Sequence, residues 1–370
     1  MVRNRSVAII GTRGYPSYYG GFETAVRRLA PYLAEHDWSV TVYGRKGATS
    51  EEGADPRVTR RDTWGVEGKS VSTLSHGLTS SVDAAIRRPD VALVMNVANG
   101  FWLPALKARG IPSLVNVDGI EWDRDKWGKA ARRTFMAGAR ATAKFADELV
   151  FDAEAIGDRW RRDFSVTNGV FIPYGGDVPA EMPVEPGLVS RGYVLVVARF
   201  VPENTIGEFL SAVEDLAHDV PVVIVGSSGY GGELEESVAE LDARLENVRW
   251  MGHLRDDDRL NSLWQHAGVY FHGHSVGGTN PALVQAMACG APVVARDTIY
   301  NREVLSTTGR FCSPTPTDIA AAIREVLGSP SLQEEMSTGA RSRAIYAYSW
   351  AGVNARYEAA LRQLADRKTS

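Results

Sequence analysis

At 370 residues, 44% hydrophobic and 23% charged with a formal net charge of −4, the chain has the composition of a folded protein built as two moderate domains. That charge argues against a generic nucleic-acid binder, and no stretch approaches the roughly 20 apolar residues of a membrane span. The two cysteines, Cys289 and Cys312, make no disulfide framework, and MVRNRSVAIIGTRG runs straight into a strand pattern without a leader's apolar core, so a cytoplasmic protein is expected.

The first apolar run, SVAII, leads into the glycine-rich GTRGYPSYYGG (11–21), a helical FETAVRRLAPYLAEH and a second run, SVTVYG. VALVMNV, SLVNV and ELVF follow, and FIPYG closes the series, with Ile172 to Asp177 as the expected crossover. Between SLVNV and ELVF lies Lys126–Lys144, with six basic residues and no acidic one. It reads either as a solvated helix face or as a basic, partly amphipathic helix that touches anionic lipid through Trp127, Phe135 and Met136. The second half repeats the grammar with YVLVVARF, a helix near GEFLSAVEDLA, then PVVIVG, VRWMG, GVYFHGH and PVVA. The Asp256–Asp258 run is expected to cap the helix after it. SWAGVNARYEAALRQLADR reads as a terminal amphipathic helix carrying Trp350, Val353, Tyr357 and Leu361 at helical spacing.

Continuous apolar strands separated by helices indicate parallel sheets covered on both faces. Two such sets predict two doubly wound α/β domains with ligands at the strands' carboxyl ends, in a cleft between them. Four loops fall at such ends: GTRGYPSYYGG, DGIEW, ARFVPEN and HSVGGTNP. In the last, Pro281 suits the first turn of a helix, Asn280 or Thr279 can cap it, and the small residues before it leave backbone N–H groups for a phosphate or diphosphate.

The motifs GTRGYPSYYGGFET (11–24), NVDGIEW (116–122), FIPYGGD (171–177), ARFVPEN (198–204), HGHSVGGTNPALVQAM (272–287) and NREVL (301–305) occur in order at a characteristic spacing. With them the whole chain resembles a retaining nucleotide-sugar glycosyltransferase of family 4, of GT-B fold, and within it a bacterial rhamnosyltransferase-like branch. The resemblance implies two Rossmann-like domains facing a cleft. The acceptor-side domain would be 1–174 plus 349–370, with the C-terminal helix crossing back onto it, and the nucleotide-sugar-binding domain 175–348. It implies transfer of a hexose or deoxyhexose, rhamnose favoured, from a dTDP-, UDP- or GDP-linked donor to a glycan, lipid-linked or small-molecule acceptor. No cofactor or metal is called for, and the D-R-D at Asp123 to Asp125 is then surface or acceptor-loop chemistry. Contact with the inner membrane face through 126–144 is an expectation. An inactive nucleotide-sugar-binding subunit and a GT-B epimerase or phosphorylase are the alternative readings.

By this resemblance Gly20 and Gly21 let the donor approach the backbone, while Glu23 complements the helix dipole. Arg199 is the diphosphate's charge partner and a catalytic group, because the leaving group gains charge as the glycosidic bond breaks. Many relatives place a lysine five residues further on, where this chain has Asn204, so Gly277, Gly278, Thr279 and Asn280 must contribute more. The family's two glutamates, eight positions apart, map onto Gly277 and Gln285; Gln285 is read as a ribose contact, or otherwise as helix packing. Asp118 is assigned to the sugar, with a role as acceptor base as the alternative. Glu121 and Trp122 line the same side, Trp122 as a flat stacking face, and His274 and His76 are candidate substrate contacts.

Overall fold

The computed structural model describes residues 4–17, 20–47, 49, 53–66, 71–124, 127–229, 231–254 and 256–369. Asp125 of the D-R-D, Lys126 at the start of the basic segment and two tyrosines of the first glycine-rich loop lie outside them. The chain divides into two compact units, Met1–Tyr174 with Trp350–Ser370, and Gly175–Ser349.

In the first unit the strands are β1 (Arg5–Ile10), β2 (Trp38–Arg45), β3 (Thr59–Thr63), β4 (Val91–Met95), β5 (Ser113–Asn116), β6 (Glu148–Phe151) and β7 (Gly169–Phe171). They form one sheet in the order β3-β2-β1-β4-β5-β6-β7, every pairing parallel. The helices are α1 (Gly21–Glu35), α2 (Val71–Arg87), α3 (Leu103–Lys107), α4 (Lys129–Phe145) and α5 (Glu154–Phe164). The crossover reverses direction after β3, so right-handed connections set α2, α3 and α4 on the sheet face opposite α1.

The second unit holds β8 (Val194–Val197), β9 (Val222–Val225), β10 (Val248–Trp250), β11 (Val269–His272), β12 (Val293–Arg296) and β13 (Arg310–Cys312), in the order β10-β9-β8-β11-β12-β13, again all parallel. Around it run α6 (Ile206–Leu216), α7 (Glu233–Arg244), α8 (Asp257–His266), α9 (Pro281–Cys289), α10 (Ile299–Leu305), α11 (Pro316–Leu327) and α12 (Pro330–Tyr348). The all-valine or near-valine interiors of β8, β9 and β12 are buried on both faces, as parallel strands require. Asp256 caps α8 by accepting from the Arg259 amide.

The last helix, α13 (Trp350–Thr369), belongs to the first unit. Trp350, Val353, Tyr357, Leu361 and Leu364 enter the core that α1 and β1 build from Val26, Leu29, Leu33 and Ile9. Tyr357 fixes its height, because its hydroxyl accepts from Asn116 Nδ2 at 2.7 Å. FIPYG is not the closing strand: β7 ends at Phe171, and Ile172 and Tyr174 are buried coil.

Candidate active site

In the second unit β8, β11 and β12 are neighbours, so three adjacent strands release their loops at one sheet edge, the place where doubly wound sheets hold ligands. After β8, Arg199 is exposed and has no ion pair among the described residues. Asn204 is buried and donates Nδ2 to the Arg199 carbonyl at 2.9 Å, closing the loop on itself. Thr205 follows in the left-handed region at φ 56°, and its hydroxyl donates to the Gly273 carbonyl at 2.5 Å. Glycine is obligatory at 273, since a Cβ there would lie 2.3 Å from the Asn204 carbonyl oxygen. Ser275 donates both its amide and its hydroxyl to the Glu203 carbonyl at 2.9 Å. Asn301 Nδ2 donates to the carbonyls of His274 at 3.0 Å and Arg296 at 2.8 Å. Thr205, Glu203 and Asn301 thus bind three loops into one rigid rim.

That rim presents the small-residue loop. Gly277 has φ 99°, open to glycine alone, and neither its amide nor that of Gly278 is hydrogen-bonded within the chain. Thr279 is buried. Asn280 is the cap: its Oδ1 accepts from Ala282 at 2.9 Å and Leu283 at 3.4 Å. The first-turn amides of α9 are therefore consumed by the cap, and the donors available to an anion are those of the glycines before it. At the end of β12, Arg296 reaches back and donates Nη1 to Thr205 Oγ1 at 3.0 Å, with no carboxylate partner among the described residues. Beneath the loop, His272 and His274 stack with centroids 4.4 Å apart and planes 9° from parallel. Burial, then the neighbouring His274, push the His272 imidazole well below its ordinary pKa, so it is neutral; Nδ1 lies 3.0 Å from the Tyr270 hydroxyl.

Gln285 corrects an expectation. Its Oε1 accepts from the Asp177 amide at 3.1 Å while Nε2 donates to the Asp177 carbonyl at 2.9 Å and to Asn261 Oδ1 at 3.1 Å. Both ends of the amide are engaged by the protein, so this side chain clasps the 175–177 segment and does not present itself to a ribose. Only an amide can make that pair of opposite bonds, which is a physical reason for glutamine in place of glutamate.

In the first unit, the loops after β1, β5 and β6 meet around Tyr174. Gly20 is the extended residue before α1 and Gly21 abuts the Tyr174 ring, 3.4 Å from where a Cβ would stand. Glu23 is buried and accepts from the Arg13 amide at 3.1 Å, tying the glycine-rich loop to the helix start. Burial, then the charges of Asp118 and Asp152 and the neighbouring Tyr357 and Glu23, push the Tyr174 phenol well above its usual range. Asp118 is half-buried at φ 58°, a strained conformation for a non-glycine residue, with its amide donating to Asn116 Oδ1 at 2.9 Å.

Three other assignments are revised here. Trp122 offers no open stacking face: it is buried edge-on to Trp160 and Phe164, with centroids 5.9 and 5.6 Å away. Glu121 is buried, pairs with Arg124 at 2.7 Å and accepts from Trp127 Nε1 at 2.9 Å. His76 is buried on α2 beneath Gly65. Asp123 of the D-R-D pairs with Arg159 at 2.9 Å. Conversely, Arg296 and Thr205 are not among the residues expected from the sequence, and Asn301 enters there only as the first residue of NREVL. The signal for Arg296 is present in the sequence, because the word V-V-A-R occurs twice, across the end of β8 at 196–199 and as β12 itself at 293–296.

Two doubly wound parallel sheets, each with its polar loops at the carboxyl ends of the strands, define the GT-B class. Residues 20–175 match the family model described as Glycosyl transferase 4-like domain, and residues 182–343 match Glycosyl transferases group 1. The chain thus matches, in order, a glycosyl transferase 4-like domain and a glycosyl transferases group 1 domain, on a GT-B fold. A phosphatidyl-myo-inositol mannosyltransferase of Mycolicibacterium smegmatis is 32% identical over 209 residues, 53% of this chain and 52% of the relative. An O-antigen chain mannosyltransferase B of Escherichia coli is 26% identical over 40% of each chain. The chain thus spans about half the length of the curated relatives it matches. Among solved structures, the sucrose-phosphate synthase of Thermosynechococcus elongatus superposes with a TM-score of 0.81 at 20% identity, covering 97% of this chain and 99% of that one. Anabaena HepE in complex with UDP gives 0.74 at 16% identity, with 97% and 100% covered. At these identities the likeness shows the fold.

Proposed function

We propose that this chain is a retaining glycosyltransferase that moves a hexose or deoxyhexose from a nucleotide diphosphate sugar to a glycan, lipid-linked or small-molecule acceptor. The observation that carries the reading is the rim of the second unit: two glycine amides without hydrogen bonds after β11, and two guanidiniums without carboxylate partners among the described residues, after β8 and at the end of β12, the strands on either side of it. Oriented N–H groups and guanidinium forks are what a diphosphate requires, and they act most strongly as the C1–O bond breaks and charge collects on the departing phosphate. Arg199 and the amides of Gly277 and Gly278 take that charge, with Arg296 as a second cation in place of the lysine absent at 204. Neutralisation by the chain's own cations calls for no metal. Asp118, beside Tyr174, is assigned to the sugar or acceptor, and its carboxylate is the chain's candidate for holding the acceptor's proton. The motifs of the rhamnosyltransferase-like branch favour a deoxyhexose, while the names of the curated relatives favour mannose.

A panel of dTDP-, UDP- and GDP-sugars, with binding by calorimetry and the product anomer by NMR, tests the reading. Arg199→Ala and Arg296→Ala are each expected to weaken donor binding by about tenfold or more, as loss of a charge-assisted hydrogen bond of 1.5–3 kcal/mol requires. Donor binding unaffected by both substitutions overturns the cradle. Binding without transfer to any acceptor favours a nucleotide-sugar-binding subunit, and an inverted product anomer refutes retention.

A further inference from the structure

Helix α2 is amphipathic in the wrong sense for a helix packed on a sheet. The side it buries is small and polar: Ser72, His76, Gly77, Ser80, Ser81 and Ala84. Its apolar stripe, Leu78, Val82 and Ile86 at i, i+4 and i+8, is the exposed one, at 40%, 44% and 71%. At 100° per residue these three project directly away from the buried side. Beside them stand Trp64 at 71% and Val66 at 46% exposure. Thr79 Oγ1 donates to the Trp64 carbonyl at 2.6 Å and the Val66 amide donates to Ser75 Oγ at 2.9 Å, so this loop is pinned to α2. Five of the eleven large hydrophobics exposed among the described residues therefore form one patch. Scattered apolar residues are ordinary on a surface, but a contiguous set marks an interaction site.

The same layer carries a positive face. On α4, Lys129, Arg133, Arg140 and Lys144 are exposed at i, i+4, i+11 and i+15, a single stripe with no ion pair among the described residues. The helix contains no acidic residue. Its apolar side turns inward with the buried Gly138, Ala139 and Thr142: Phe135 is half-buried and packs on the half-buried Trp127, just before the helix, with centroids 5.2 Å apart. The carboxylate on the α2 stripe side, Asp83, is already claimed. Burial works against its ionisation, yet hydrogen bonds from Arg61, Tyr43 and Arg87 hold its pKa at about 2.

We propose that the outer face of the α2–α4 layer docks on an anionic lipid bilayer, with Trp64 and the Leu78–Val82–Ile86 stripe entering the interface and the α4 stripe meeting the headgroups. Charge decides the occupant: an apolar strip on α2 and, across α3 in the same layer, cations without ion pairs among the described residues complement a negatively charged interface, where tryptophan is also at home. A second copy of the chain fits less well, because five apolar side chains fall far short of the roughly 20–30 residues a side of a stable interface. The inference places the insertion in α2, which carries no basic cluster, and leaves α4 only the electrostatic part. It does not depend on the transfer reading.

Flotation of the full chain with phosphatidylglycerol–phosphatidylcholine vesicles, against phosphatidylcholine alone, tests it at low and high salt. The wild type is expected to float with the anionic vesicles. L78S/V82S/I86S and K129Q/R133Q/R140Q/K144Q each lower the partition coefficient by about tenfold or more, the first at every salt concentration and the second chiefly at low salt. Every substituted side chain is exposed, and circular dichroism confirms that the variants fold. The proposal is overturned if the wild type ignores anionic vesicles, or if L78S/V82S/I86S floats as the wild type does. It is equally overturned if that variant instead turns a dimer into a monomer in analytical ultracentrifugation while vesicle binding is unchanged. Nucleotide-sugar binding, measured without vesicles, bears on the transfer reading alone.

Discussion

The Gln285 amide holds the Asp177 backbone from both sides, its oxygen accepting from the amide and its nitrogen donating to the carbonyl. Gln285→Glu would set a carboxylate oxygen against the Asp177 carbonyl and Asn261 Oδ1, two acceptors facing a third. A loss of about 1–3 kcal/mol in unfolding free energy is expected, measurable by urea denaturation at neutral pH; unchanged stability would mean the clasp contributes nothing. His272 carries a pH dependence of definite sign. Its folded pKa is depressed far below the ordinary 6.5, so the unfolded chain takes up a proton that the folded chain refuses. Its contribution is complete above that value and falls away as pH drops below about 6.5, because there the unfolded state binds more protons. Urea midpoints at about pH 7 and pH 5 should therefore diverge for the wild type and less so for His272→Asn. The places of Arg199, Gly277 and Asn280 in the fold were legible because strand ends, glycines and caps have local signatures. Trp122 was not, because nothing in DGIEW tells that α5 brings Trp160 and Phe164 against it.

At the scale of elements, legibility tracked how far burial agrees with local pattern. β4, β8 and β9 are apolar throughout, and β1 and β11 are so but for Arg5 and Ser6 at one start and His272 at the other end; all sit at or beside the sheet centres, where both faces are covered. β3, with the sequence TRRDT, is a sheet edge, and its exposed Arg60 and Asp62 discourage pairing with another chain at the expense of any apolar signal. β13 is likewise a short edge strand that opens on an arginine. α13 announced itself because its stripe of Trp350, Val353, Tyr357 and Leu361 is the buried one. In α2 the periodic stripe exists but faces outward, so the pattern that normally locates a core here locates a surface. α4 reversed in the other direction: the basic run identified the helix, while the aromatics taken for its lipid-facing side are packed inward.

For the whole molecule, the alternation of apolar strands and helices was enough to count two parallel sheets, and six spaced motifs were enough to suggest the family. The discontinuity of the first unit has an energetic consequence. Gly175–Ser349 contains all six strands of its own sheet, whereas Met1–Tyr174 contains its seven strands but only part of its core. The remainder comes from α13, where Trp350, Val353, Tyr357, Leu361 and Leu364 are all buried. At about 1.5–3 kcal/mol for each large apolar side chain, removing five of them withdraws an amount comparable to the 5–15 kcal/mol that stabilises an ordinary domain. It also leaves Asn116 Nδ2 without the Tyr357 hydroxyl. Residues 175–349 alone should therefore unfold cooperatively in urea, and residues 1–174 alone should not. Joining 350–370 to 1–174 through a glycine–serine linker should restore a cooperative transition, because the two ends of the excised unit lie side by side, with Gly176 and Ser349 in a parallel bridge, so the gap to be spanned is short. If 1–174 melts as sharply and at the same midpoint as the joined form, α13 is an accessory to that unit and not part of its core.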